Sequence, residues 1–452
     1  MESLPKDLMY IVSNVQNYSK NTVKLQTLNQ STLSSKGASQ ARLALPVNAI
    51  VNMKSLAMHC TMKTKGVAAT GAGGSDANAV HALIPKGGLS SVIDRATWSA
   101  GGVSLDNGVT PYHVVKNMKD NLELSSSRFL SDEQVLNNSV IDPITTTNAA
   151  TADEGQTKEL CLSNFLGFTG CSPTYLDLNR LPECFLTVQI ADASVLPIQH
   201  EGKNLGEAQT VTANANFSGT ECSFDLENIY FTCEVISFGN GIYEALTDRV
   251  LAEKGSIDIP YHQFQTFTTE SSSAGASIRG SVSTGSLNRV YALQRDVGTA
   301  GKEYNKQTMP VATNGGNSTF AFVQTAHNFT GSGVGSYQFQ VNNVPYPLYK
   351  PTRMEAFKFA VQGEGRTYDK CGGGLVSSQD MWKDNCWTAS IKLNHDQELT
   401  RLSGLDLRAT NAQISYSATA NSDTAFNRQI MMLTEQTSVL RVGAGRVVAV
   451  IS

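Results

Sequence analysis

Ser99-Ala100-Gly101-Gly102-Val103 closes an apolar-alternating strand on a two-residue turn, and Thr110-Pro111 then opens a helix-patterned run from Tyr112 to Leu124. The same phrase returns in Gln338-Phe339-Gln340-Val341-Asn342-Asn343-Val344, followed by Thr352 and a second helical run from Arg353 to Gln362. After each helix comes a Leu-Asp-Leu step with an arginine behind it: Leu176-Asp177-Leu178-Asn179-Arg180, then Leu405-Asp406-Leu407-Arg408. Val103 to Val344 is 241 residues, Thr110 to Thr352 is 242, and Asp177 to Asp406 is 229. A period this long belongs to a duplicated domain and not to a solenoid, whose repeats run to about 20–50 residues.

Working outward, period-two alternation dominates. Leu186, Val188 and Ile190 share one strand face, Phe231, Cys233 and Val235 another, Tyr337, Phe339 and Val341 a third. The closing run Arg446–Ile451 reads as a buried final strand. Between the halves, Tyr243–Lys254 reads as a helix with Gly255 as its left-handed C-terminal cap. Thr352 and Glu355 form a capping box for the second helix, and Thr110 with Pro111 does the corresponding work in the first half.

These signals divide the chain into an N-terminal arm at 1–44, a first domain at 45–242, a linker helix at 243–255 and a second domain at 256–452. Leu4, Leu8, Ile11 and Val12 lie at helical spacing, and Asn14–Gln40 reads as a polar arm. Four long segments, Thr64–Gly88, Asn138–Lys158, Asp296–Gly335 and Gly363–Asn385, exceed ordinary hairpin length, and their matched placement predicts that all four project from one end.

With 452 residues the chain is long enough for two cores. Only 16% of residues are charged and the net charge is −4, so nothing marks the molecule as a counter-ion for nucleic acid. The arm from Asn14 to Gln40 holds only Lys20, Lys24 and Lys36, which predicts no direct specific nucleic-acid binding. The eight cysteines contain no C-x-x-C pair, and Cys184 and Cys233 sit in strand-like runs as small apolar residues. Neither a secretory leader nor a membrane-length apolar run is legible, and the chain reads as made in a reducing interior and not secreted.

No catalytic, cofactor-binding or metal-ligating residues emerge. The seven histidines are isolated from one another, with no local zinc pair. Gly71-Ala72-Gly73-Gly74 and Gly331–Gly335 read as flexible turns, and Gly280–Gly285 resembles a nucleophile elbow only loosely. Asp132-Glu133 and Asp153-Glu154 read as solvated charges in place of a glycosidase pair. Trp382 and Trp387 around Cys386 offer either a stacking platform or an apolar pin for a loop, the second being the ordinary role. Val344–Pro351 reads as an extended connector whose prolines oppose further sheet pairing.

The phrases Asn342-Asn343-Val344-Pro345-Tyr346-Pro347 and Ser403-Gly404-Leu405-Asp406-Leu407-Arg408, with the ending Val439–Val447, resemble the double jelly-roll major capsid proteins of double-stranded DNA viruses, adenovirus-like in lineage and nearest to those of polinton-like viruses and virophages. That resemblance implies an all-β fold of two tandem eight-stranded jelly rolls with short helices in loops. It implies a structural, non-enzymatic protein of the virion: a homotrimer, pseudo-hexagonal in outline, tiling an icosahedral shell. Its partners would be neighbouring capsomers, penton and minor capsid proteins, with an internal membrane as a further neighbour, and no cofactors. The alternative from composition is a β-sandwich carbohydrate-binding or carbohydrate-active protein, such as a viral receptor-binding module.

Overall fold

The structure is a computed structural model that describes residues 18–37, 39–47, 49–66, 80–106, 111–123, 155–200, 222–238, 242–272, 275–296, 306–314, 317–324, 329–331, 333–363, 386–395, 402–408, 412–421 and 428–451. In the first half the strands are β1 (Tyr18–Gln26), β2 (Leu33–Ser34), β3 (Gln40–Ala44), β4 (Ile50–Lys65), β5 (Val80–Ala82), β6 (Ile93–Ala100) and β7 (Val103–Ser104). Helix α1 (Tyr112–Glu123) follows, then β8 (Thr157–Ser163), β9 (Tyr175–Asp177), β10 (Cys184–Ile190), β11 (Ile198–His200) and β12 (Ser223–Phe238). Helix α2 (Ile242–Lys254) leads to the second half: β13 (Ser256–Ser271), β14 (Ser277–Val282), β15 (Leu287–Asp296), β16 (Lys306–Asn314), β17 (Asn317–Gln324), β18 (Val334–Val341) and β19 (Val344–Tyr346). Helix α3 (Glu355–Gly363), β20 (Thr388–Lys392), β21 (Ala412–Ala420), β22 (Arg428–Gly443) and β23 (Val448–Ile451) complete it.

Each half is a sandwich of two antiparallel sheets with one strand order. The first has β1-β12-β4-β8 facing β3-β10-β6-β7; the second has β13-β22-β15-β20 facing β14-β21-β18-β19. Position by position these are the same eight strands, so the sequence duplication is a duplication of topology. Val103 pairs with Ala100 and Val344 with Val341, each across a two-residue turn. In both turns the two central residues have positive φ: Gly101 and Gly102 at 56° and 84°, Asn342 and Asn343 at 50° and 65°. That is the type I′ geometry whose twist suits a tight hairpin, and glycine and asparagine are the residues that tolerate it. The Leu-Asp-Leu step is equivalent too: Asp177 accepts from the Asn179 N–H and Asp406 from the Arg408 N–H. Thr110 lies outside the described residues.

The reading of Asn14–Gln40 as an arm is corrected from Tyr18 onward. β1 pairs along its whole length with β12, and β3 pairs with β10, so residues 18–44 supply two of the first roll's strands. Val23 and Leu25 pack on the core while Lys20 and Lys24 point to solvent, the polar outer face expected of an edge strand. The amphipathic N-terminal stretch with Leu4 and Leu8 lies outside the described residues.

Two more readings change. The closing run is an edge strand, not a buried one: β23 pairs with β22 on one side, and Val447 is 67% exposed. The long segments Thr64–Gly88 and Asp296–Gly335 contain strands, because β5, β11, β16 and β17 join in a further four-stranded sheet ordered β16-β17-β11-β5. That sheet draws on both halves and includes β11, from a connection that composition did not single out. It stands at the end of the rolls opposite α2, since β4 and β15 run toward it from the end where α2 lies. Of Asn138–Lys158 and Gly363–Asn385, nearly all lies outside the described residues.

Candidate functional site: the junction between the rolls

The two rolls are not strung loosely. The first core cluster includes Ile259, Tyr261, Tyr291, Leu293, Met431, Leu433 and Leu440 of the second roll, while Ile430, Met432, Val290 and Ala292 face that roll's own interior. The middle of the sheet, β22 and β15, is therefore buried on both faces. β22 accordingly has an almost unbroken run of buried residues, whereas its counterpart β12 alternates.

Against this second face lies α1. From Tyr112 to Lys119 every residue of the helix is buried, including His113, Lys116, Asn117 and Lys119. Such groups need partners, because an unpaired charge away from water is costly. Asn117 donates to Ser91 Oγ at 2.8 Å and Lys116 pairs with Asp120. Lys119 crosses to the second roll, donating to Glu435 Oε2 and to Tyr291 Oη, each at 3.1 Å. Tyr291 also donates to Glu435 at 3.1 Å, with Arg289 at 3.7 Å and His262 at 3.5 Å from the same carboxylate. Burial by itself raises the Glu435 carboxyl, but Lys119, then Arg289 and His262, outweigh it and hold the group well below the usual carboxylate range. Nearby, Tyr261 donates to the Leu105 carbonyl and meets Phe168 edge-on at 5.3 Å, and Ser172 N–H donates to Pro260 O at 2.9 Å.

The residues noted for chemistry are dispersed. His59 stacks on Tyr230 at 4.8 Å on the outer face of the first roll, His113 is inside α1, and His262 is at the junction. Among the described residues no three of His, Cys, Asp and Glu come together as a metal site. The described cysteines are free thiols, and burial pushes Cys60, Cys171 and Cys184 up to about 12. Trp387 takes the pinning role: it is fully buried, its indole N–H donates to Arg353 O at 3.0 Å, and Tyr337 meets it edge-on. Gly280 belongs to strand β14, where a Cβ would stand 2.6 Å from the Phe267 ring, so its glycine serves packing. Val344–Tyr346 pairs with β18 despite Pro345, and beyond it the connector leaves the ladder, with Leu348 85% exposed and Pro347 O accepting from the Gln338 side chain at 3.3 Å. Trp382, Asp132-Glu133 and Asp153-Glu154 lie outside the described residues. The Lys119–Glu435 contact was missed: its partners are 316 residues apart.

Two jelly rolls of one strand order, joined by a linker helix, make this fold a double jelly roll. No protein-family model matches the sequence, and a search of curated proteins finds no match. Solved structures do match in fold. The PBCV-1 virus capsid aligns over 96% of this chain and 97% of its own, at a TM-score of 0.55 and 12% identity. The Faustovirus major capsid protein aligns over 94% and 91%, at 0.56 and 8%. The Sputnik virophage structure aligns over 96% and 88%, at 0.55 and 11%.

Proposed function

We propose that this chain is the major capsid protein of an icosahedral virus, a structural and non-enzymatic component of the virion that assembles as a pseudo-hexagonal homotrimer. The observation that carries the reading is an unfinished symmetry. Within one chain, α1 of the first roll covers the outer face of the second roll's β13-β22-β15-β20 sheet. Among the described residues the equivalents are not covered in this way: the first roll's β1-β12-β4-β8 sheet presents Lys24 outward, and α3 keeps Lys358 exposed and Phe359 half-buried. Each chain thus makes the contact once and offers both of its faces again. Head-to-tail repetition of a heterologous contact closes a ring, and three chains of two rolls give six blocks around it. The double jelly roll of the PBCV-1, Faustovirus and Sputnik structures supports the same role. In this reading the sheet shared by β5, β11, β16 and β17 forms the outward tower, and neighbouring capsomers, penton and minor capsid proteins contact the sides and base.

The test is a charge placed in the open half. Phe359→Glu is expected to convert a trimer into monomers that melt within a few degrees of the parent, because an interface of the obligate class, above about 2,000 Å², does not tolerate a buried unpaired carboxylate. A variant that remains trimeric with an unchanged dissociation profile would overturn the assigned contact.

A further inference from the structure

At the base, beside α2, lies an apolar groove of about 240 Å³ that the shell reading leaves without a role. Its apolar lining includes Pro173, Tyr175, Leu181, Val250 of α2, Ile257 and Val442, with Asp177, Arg180 and Thr247 as its polar members. Tyr175 and Val250 are 40% and 38% exposed at its rim.

The second half of the helix that borders it is exposed. From Asp248 to Lys254 every side chain of α2 but Leu251 is exposed, and Leu251 is only half-buried. A helix of this length draws its stability from an apolar face packed on something, not from propensity. Arg180 ties it down within the groove itself, at 2.6 Å from Asp248 and 3.2 Å from Thr247 Oγ1.

We propose that the groove is the docking site of the chain's own N-terminal segment, residues 1–17, with Leu4, Leu8, Ile11 and Val12 supplying the apolar side chains that fill it and cover α2. The point where the described chain begins favours this occupant. Tyr18 pairs with Phe238, four residues before α2 starts, so the segment leaves the sheet at the base. Across that sheet the order runs β1, β12, β4, β9, and Asp177 of β9 is at the level of Ile50 and Ile236, two residues from Phe238. Three strand spacings put the groove roughly 14 Å from the exit point. The six residues from Val12 to Tyr18 span up to roughly 20 Å, enough to reach it. A stripe at positions 4, 8, 11 and 12 presents one helical face, and the groove's apolar walls are its complement. The contact lies within one chain and holds whether or not the protein forms shells.

Two readouts on the full-length purified protein test it. First, hydrogen exchange: amides 4–12 are expected to exchange about tenfold more slowly in the parent than in Val250→Asp, a change at a surface position that leaves the fold intact. Equal rates in the two proteins would overturn the proposal. Second, Leu8→Cys combined with Val250→Cys is expected to oxidise to a disulfide within one chain, seen as a linked peptide from a species of monomer mass. A link found only between two chains would transfer the groove to a neighbouring copy and refute the assignment, and so would the absence of any link.

Discussion

Lys119→Met is the sharpest probe of how the two rolls are held. The substitution keeps the volume and removes the ammonium from a pair in which both side chains are 3% exposed. Breaking a buried ion pair by deleting one partner costs about 3–5 kcal/mol, because the remaining charge keeps its desolvation penalty. Here Glu435 retains Arg289 at 3.7 Å and His262 at 3.5 Å, which places the loss toward the lower end, about 3 kcal/mol. For a unit of this size that is a fall in melting temperature of roughly 6–12 °C. The pH dependence carries a sign. The folded Glu435 carboxyl is held below its unfolded value of about 4.3, so its contribution is complete above that pH and is lost as pH falls through the folded value. The deficit of the variant should therefore be full at pH 7 and shrink below about pH 4 as the carboxyl protonates. Thermal melts of the parent, Lys119→Met, Glu435→Gln and the double variant form a cycle, with an expected coupling above about 1 kcal/mol. A single-variant effect below about 1 kcal/mol, the size of an exposed pair, or strict additivity in the cycle would refute the account of the junction.

Tyr261→Phe removes the hydroxyl that bonds the Leu105 carbonyl across the same junction, and should cost about 1–2 kcal/mol in a melt with the fold unchanged. Asn343→Val forces a β-branched residue to φ 65° and should destabilise by roughly 1–2 kcal/mol, while Asn343→Gly should be tolerated. In a binding titration, purified protein should hold duplex DNA no more tightly than about 10⁻⁴ M at physiological salt, the weak end of non-specific affinity. Micromolar binding that weakens steeply with salt would count against the reading that this chain makes no direct nucleic-acid contact.

What the sequence made legible was local. The Gly-Gly and Asn-Asn turns demand positive φ, the Asp of each Leu-Asp-Leu step caps its own turn, and Thr352 with Glu355 closes a box: the Glu355 carboxylate accepts from the Thr352 N–H at 2.7 Å. These signals sit within a few residues of one another, so the duplication could be read from them. β1 escaped because Tyr18–Gln26 is an edge strand with lysines on its open face, which reads as a polar arm. The four-stranded sheet escaped because β5 and β11 are three residues each, and β11 meets β5 on one side and β17 on the other only through long-range pairing. Nor could composition reveal the junction. One trace of it is present: Ile430-Met431-Met432-Leu433 is apolar on both faces of a strand, and Glu435 just beyond it is a charge that must find a partner elsewhere.

The central claim, that two equivalent rolls exist so that three chains can present six, is tested most directly by the mass and image of the purified protein. The account predicts a stable species of three times 48.5 kDa, with a pseudo-hexagonal outline in projection and the tower sheet at one end. A monodisperse monomer at micromolar concentration, with no three-fold particles in the images, would contradict it.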